Sequence, residues 1–335
     1  MSASLLKVEN LRTVFQTPRG VVTAVDGLSF SIQPGETVGL VGESGCGKST
    51  VALSLLRLIR SPGEIVAGKI ELGGRNLRSL SEAEMRKIRG GKIAMVFQEP
   101  GATLNPVMTI GTQIVEAIQA HFDFPRRKAW RRGAELLGEM GIRDPGGCMK
   151  AYPERLSGGM KQRALIAIAL SCEPLLLIGD EPTTALDVTI QAQILDLLRR
   201  LKQSHNLSLL VISHDWGVIA EMADRVVVMY AGEMVECGTV DQIFHQPSHP
   251  YTCHLLQAFP RLRGRPWRAE LGLLEGSRPD LLNLPGGCRF QSRCPEAVAE
   301  CLERHPQPLV LEPEHQVRCL RREQASNMRS SGSGK

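Results

Sequence analysis

Residues 5–15, LLKVENLRTVF, alternate apolar and polar side chains, and GVVTAVDGLSFSI over 20–32 does the same after the turn-forming Thr17-Pro-Arg-Gly20. Period-two alternation sets one strand face on a core and leaves the other wet, so an antiparallel β layer is expected at the start of the chain. The pattern then changes. VGLV (38–41), KIAMVFQ (92–98), LLLI (175–178) and LSLLVIS (207–213) are short, almost wholly apolar runs, the pattern of strands covered on both faces. Segments with apolar residues at helical spacing lie among them: VALSLLRLI, LSGGMKQRALIAIAL and TIQAQILDLLRRLKQ. Buried strands alternating with helices predict an α/β fold with a mainly parallel sheet. SPGEIVAGKIELGGRNL reads as turns and short strands, SEAEMRKIR as a capped polar helix, and RVVVMYAGEMVECG as a hairpin. From Glu99 to about Arg155, GTQIVEAIQAH and KAWRRGAELLGEM mark a helical insertion.

The densest chemistry lies at 37–50, TVGLVGESGCGKST, where a buried strand stops at a glycine-rich loop and a helix follows. Glycines let backbone N–H groups turn inward around a polyphosphate, and the helix aims its positive end at the same anion. Lys48 reaches the β- and γ-phosphates and Ser49 offers a hydroxyl to Mg²⁺. Gly42, Ser44, Gly45, Cys46, Gly47 and Thr50 complete the candidate nucleotide contacts. After the run at 175–178 come Gly179, Asp180 and Glu181. Strand alternation would send the two carboxylates to opposite sides, one to order Mg²⁺ through water and the other to orient and deprotonate the attacking water. Phe15, at the end of the first strand, suits either a ring stacked on a purine or an ordinary core position.

Composition narrows the partners. The 335 residues are 42% hydrophobic, enough for a real core. A net charge of +5, from 40 basic and 35 acidic residues, does not by itself argue for a nucleic-acid footprint, and 4% aromatics leave few stacking platforms for single strands, so no nucleic-acid partner is expected. MSASLLKVEN has no basic-then-apolar leader, and no apolar stretch is long enough to span a bilayer, so a cytoplasmic protein not itself embedded in a membrane is expected.

LSGGM (156–160) followed by KQRALIAIAL, together with GESGCGKST, Gln98, LLLIGDEPTTALD and His214, resembles the ATP-binding subunit of ABC transporters over roughly residues 5–255. The resemblance implies a P-loop NTPase fold of ABC type over 1–256, with a helical subdomain at about 99–160, and ATP and Mg²⁺ as cofactors. Lys48, Ser49 and the loop amides would hold phosphates, Thr50 would support the α-phosphate, and Phe15 would stack on adenine. Gln98 would sense the γ-phosphate and Mg²⁺, Asp180 would serve the metal, Glu181 would polarise water, and His214 would contact the γ-phosphate. Ser157, Gly158 and Gly159, at the start of a helix, would grip the γ-phosphate bound to the other subunit, and Asp187 would communicate across that dimer. Met160, where the signature usually has Gln, and Gly179, where Ala is usual, depart from the pattern without touching a catalytic group. Cys46 lies where Ser is common in the loop; alkylating it is expected to block nucleotide binding, and bound ATP to protect it.

From about Gln257 the chain turns proline-rich and basic, and Cys288, Cys294, Cys301 and Cys319 follow with the spacing C-x5-C-x6-C-x17-C. No C-x2-C pair is present, and spacing alone leaves an iron–sulfur cluster, zinc and unligated thiols open. HPYTCHLLQAFPR and GCRFQSRCP resemble the C-terminal extension of the oligopeptide/dipeptide/nickel importer ATPases, members of which carry a [4Fe-4S] cluster on such a cysteine set. The resemblance implies that cluster here, with zinc as the alternative. The extension would run over 257–322 and a polar, disordered tail over 323–335, while Cys148, Cys172, Cys237 and Cys253 read as core or surface thiols.

The expected protein is an ATP-hydrolysing subunit powering import of di- or oligopeptides or a similar small solute, peripheral to the cytoplasmic face of a bacterial inner membrane. Its expected partners are a second ABC ATPase subunit, as a heterodimer, two membrane permease subunits, and an extracytoplasmic substrate-binding protein. EPGATLNPVMTIG, after Gln98, would press on a permease. An ABC-type ATPase acting on DNA or the ribosome is the alternative, without the tandem cassettes or long heptad runs it would bring. A P-loop kinase or GTPase gives no reason for LSGGM.

Overall fold

The computed structural model describes residues 4–184, 186–257 and 279–324. In chain order the elements are β1 (Leu6–Thr17), β2 (Gly20–Ile32), β3 (Thr37–Val41), α1 (Lys48–Leu55), β4 (Gly63–Leu72), β5 (Arg75–Asn76), α2 (Glu82–Ile88), β6 (Ile93–Val96), α3 (Pro100–Thr103), α4 (Ile110–Gln119), α5 (Arg126–Glu139), α6 (Pro145–Lys150), α7 (Gly158–Leu170), β7 (Leu176–Asp180), α8 (Val188–His205), β8 (Ser208–Ile212), α9 (Trp216–Met222), β9 (Arg225–Tyr230), β10 (Glu233–Thr239), α10 (Val240–His245), α11 (Pro250–Gln257), α12 (Glu300–Glu303), β11 (Leu309–Glu312) and β12 (His315–Val317). They fall into two compact units, each drawn from separated stretches of chain. One comprises Met1–Leu6, Ile32–Thr37 and Leu72–Ile212; the other comprises Lys7–Ser31, Val38–Glu71 and Ser213–Lys335.

In the first unit β6, β7 and β8 run parallel, with Ile93 opposite Leu176 and Leu176 opposite Ser208. β7 and β8 are buried along their whole length, which is why they read as continuous apolar runs. The expected helical insertion is present as α3–α6. Ile110, Ile114 and Ile118 of α4 and Leu136 and Leu137 of α5 are fully buried, the one-sided stripe that helical spacing predicts. Ser81 caps α2 in a capping box with Glu84, as its sequence suggested. The strand expected over 92–98 stops at Val96, and Phe97 is exposed.

In the second unit β1, β2 and β4 form an antiparallel layer ordered β2-β1-β4. Asn10 adopts a left-handed φ of 49° within β1. That kink shifts the alternation by one residue, so Leu6 and Val8, then Leu11 and Thr13, are buried on either side of it. The turn after β1 is fixed by Thr17, whose hydroxyl donates to Gly20 O at 2.7 Å. A second sheet is ordered β11-β12-β10-β9-β3. β3 and β9 are parallel, while β9, β10, β12 and β11 are successively antiparallel.

Two expectations are corrected here. The sheet strands are mixed rather than mainly parallel, because Ala231 and Gly232 join β9 to β10 with φ of 48° and 87°, a two-residue turn that permits only an antiparallel return. The C-terminal residues contribute strands for which no expectation was drawn from the sequence: β12 pairs with β10, Cys237 opposite Gln316. Residues 320–324 are helical, so Glu323 and Gln324, expected in a disordered tail, belong to an ordered turn. RLRGRPWR and the remainder of that tail lie outside the described residues.

Candidate functional site

The glycine-rich loop belongs to the second unit. β3 ends at Val41, and the backbone enters the loop through Gly42 and leaves it through Gly47, with φ of 151° and 107°. A Cβ at Gly42 would stand 2.2 Å from Met229 O, and one at Gly47 2.2 Å from Ala24 O, so only glycine lets the loop lie this close to β9 and β2. No side chain caps α1, and Gly47 precedes it directly. Lys48 is buried, its Nζ donating to Gly42 O at 2.7 Å and Glu43 O at 2.9 Å. The ammonium is thus held by the carbonyls of its own loop. Ser44, Gly45 and Ser49 are exposed and Thr50 is half-buried, which leaves the outer surface of the loop open to a ligand.

The Cys46 thiol is buried under the loop, 3.8 Å from Lys48 Nζ, and burial pushes its pKa up. A covered thiol with a raised pKa is a slow nucleophile, so alkylation of Cys46 is expected to be slow. Phe15 is half-buried at the end of β1 against Gly63, where any Cβ would come within 2.6 Å of its ring. His214 follows β8 and is exposed.

Glu43 of the loop makes contacts the sequence reading missed. Its backbone N–H donates to the Tyr251 hydroxyl at 2.9 Å, and its carboxylate accepts from both Nη atoms of Arg293 at 2.8 and 2.9 Å. Both partners lie in the quoted motifs HPYT and CRFQSRC, where they were given no role.

In the first unit Asp180 is the buried last residue of β7. Glu181 has already left the strand, with a left-handed φ of 51° and its N–H donating to Ile212 O at 2.9 Å. Its direction is set by that turn and not by strand alternation as expected. Its Oε2 accepts from Gln98 Nε2 at 2.8 Å and from the Thr184 hydroxyl at 2.9 Å. The structure thus brings together two residues that the sequence reading placed at the chemistry. Ser157 caps α7, accepting from Met160 N at 3.3 Å, and Gly158 and Gly159 form its first turn. Asp187 caps α8, accepting from Ile190 N at 2.9 Å, a local role that also went unread.

The four C-terminal cysteines share one neighbourhood. Cys288 N–H donates to Cys301 O at 2.8 Å. Burial pushes the Cys288 thiol up to about 11, with Cys301 and Cys319 adding to the rise. Cys294 is pushed up to about 12 by burial, with Cys319 and Cys288 adding. Four thiols are a donor set of the right chemistry for iron–sulfur or zinc. Their arrangement is looser than a ligand set, for among the described residues no group of three or more His, Cys, Asp or Glu is placed to hold a metal ion. Among the described residues, too, no helix is long and apolar enough to cross a membrane.

The ABC transporter family matches residues 25–184, and the oligopeptide/dipeptide transporter C-terminal region matches 235–301. The chain is 50% identical to the oligopeptide transport ATP-binding protein AppD of Bacillus subtilis, over 95% of this chain and 97% of that one. It is 45% identical to the dipeptide transport ATP-binding protein DppD of the same organism, over 99% of each. Among solved structures, the dimeric ATP-binding cassette MJ0796 in a post-hydrolysis state bound to ADP and Pi matches with a TM-score of 0.63 at 26% identity, covering 70% of this chain and 98% of that one. With relatives this similar along almost its whole length, the chain belongs to the ATP-binding subunits of ABC transporters, in the branch that carries the oligopeptide/dipeptide transporter C-terminal region.

Proposed function

We propose that this chain hydrolyses ATP to drive import of di- or oligopeptides through a membrane permease. The observation that carries the reading is the pairing, in one chain, of a phosphate loop that only glycines can form with a C-terminal region typical of oligopeptide and dipeptide transporters. Relatives named for oligopeptide and dipeptide transport support the choice of cargo.

The loop amides, Lys48 and Ser49 bind the phosphates, Thr50 supports them, and Phe15 stacks on adenine. Ser49, Asp180 and Gln98 are each assigned to Mg²⁺, which when bound would neutralise charge on the transferred phosphoryl group. Glu181, oriented by Gln98 and Thr184, accepts the proton of the attacking water, and His214 holds the γ-phosphate. Ser157, Gly158 and Gly159 open α7 toward a nucleotide on a second ATPase subunit, and Asp187 relays across that dimer. The second subunit is a related chain, two permeases complete the membrane part, and an extracytoplasmic protein delivers cargo to them. The complex sits on the cytoplasmic face of the inner membrane. Cys288, Cys294, Cys301 and Cys319 would hold a [4Fe-4S] cluster, or zinc in its place, only on drawing closer together than the arrangement described, and the bound group would fasten the C-terminal residues to one another.

Affinity purification from native membranes in mild detergent tests the assembly. Two multi-span permeases and a second ATPase are the expected stoichiometric companions; ribosomes or DNA enzymes in their place would overturn the transport reading. Iron, acid-labile sulfide and zinc analysis of the anaerobically purified chain decides the metal.

A further inference from the structure

We propose that Arg293 is a positioning residue of the phosphate loop, holding Glu43 so that the loop accepts a nucleotide triphosphate; the proposal rests on the nucleotide-binding reading above. Arg293 lies 250 residues from Glu43 in sequence, yet meets it with a two-pronged pairing at 2.8 and 2.9 Å. The Arg293 side chain is 5% exposed and that of Glu43 18%. A forked guanidinium on a carboxylate fixes direction as well as distance, which a lysine ammonium does not. Arg293 Nη1 also reaches the Tyr230 hydroxyl at 3.3 Å, while its Nε is buried with no partner among the described residues.

The consequences run inward through one residue. Glu43 is held at its carboxylate by Arg293 and at its amide by Tyr251, and its carbonyl is one of the two that hold Lys48 Nζ. Behind these contacts Tyr230, Tyr251 and Phe290 pack ring on ring, with centroids 4.7–5.4 Å apart, so the support is rigid. Charge gives a second reason. A carboxylate in a loop that receives a triphosphate opposes binding, and Arg293 cancels it. Loss of Arg293 therefore loosens the loop and also removes a positive charge from the Glu43 carboxylate.

The test uses the full chain and two readouts: affinity for a fluorescent ATP analogue, and the rate at which iodoacetamide labels Cys46, followed by mass spectrometry. Arg293→Gln is expected to weaken ATP binding by about tenfold or more and to speed Cys46 labelling. Adding Glu43→Gln to it should regain part of the affinity, since the bare carboxylate is gone, while Cys46 labelling stays fast because the loop is still unheld; a double variant at wild-type affinity would make Arg293 a charge screen alone and overturn the positioning role. Glu43→Gln alone, which keeps Arg293, should speed Cys46 labelling and so serves if Arg293→Gln does not fold. Wild-type affinity and a wild-type Cys46 rate in Arg293→Gln would overturn the proposal. A wild-type chain that binds no ATP would remove the nucleotide reading, and the Cys46 rates would still decide whether Arg293 holds the loop.

Discussion

Gln98 donates to the Glu181 carboxylate at 2.8 Å, and the same oxygen accepts from Thr184 at 2.9 Å, so the proposed water-activating group is held by two neutral donors. Two such donors on one oxygen fix the direction of the carboxylate. Glu181→Gln is expected to lower ATP turnover by roughly 10²-fold or more, the usual effect of losing a general base, while ATP binding persists. Phosphate release and nucleotide retention, measured side by side on the assembled complex, check both halves. Turnover at the wild-type rate would remove Glu181 from the chemistry.

The buried Glu236 accepts from Ser248 N at 2.6 Å, His249 N at 2.9 Å and His315 Nε2 at 2.8 Å. It fastens β10 to the start of α11 and to β12 at once. Glu236→Ala should destabilise the chain by about 3 kcal/mol, because it orphans three donors, two of them buried. Urea unfolding of the full chain gives the number, and a loss within error of zero would mean that water replaces the carboxylate.

Burial lowers the pKa of His249 to about 4, against the attraction of Glu236 and with help from Arg322. The folded state keeps this imidazole neutral while the unfolded chain protonates it below its ordinary value near 6.5. Its contribution is therefore present above pH 6.5 and is lost as the pH falls from 6.5 toward 4. Stability measured across that window should decline less steeply in His249→Asn, by about one proton's worth of slope. An unchanged slope would show that His249 does not stay neutral in the fold.

Cys288 and Cys294 are half-buried while the remaining cysteines, Cys46 among them, are buried. In the metal-free chain iodoacetamide should label Cys288 and Cys294 before Cys46, as site-resolved mass spectrometry would show. First labelling at Cys46 would contradict the packing of the loop.

What was legible in the sequence is what local pattern controls. The glycine loop, the long alternating strands, the capped α2 and the helices of the insertion all follow from spacings of a few residues. The contacts that bind the C-terminal residues into the second unit were not legible. Arg289 with Asp26, Arg293 with Glu43, His305 with Glu233 and His315 with Glu236 each join a basic side chain to an acidic one far away in sequence. Charge pairing at such separation leaves no periodicity to read. β11 and β12 are four and three residues long, too short for alternation to register among prolines. The left-handed turn at Glu181 was hidden for another reason: it is imposed by surroundings, on a residue type that does not announce it.

The pairing of β12 with β10 has a consequence for how the chain is made. β10 is complete long before its neighbour leaves the ribosome, since Cys237 waits for Gln316. At ordinary elongation rates its outer row of N–H and C=O groups stays unsatisfied for seconds, open to strands of other molecules. A chain that ended after α11 would keep that open rim permanently, so the C-terminal residues also guard the sheet against self-association.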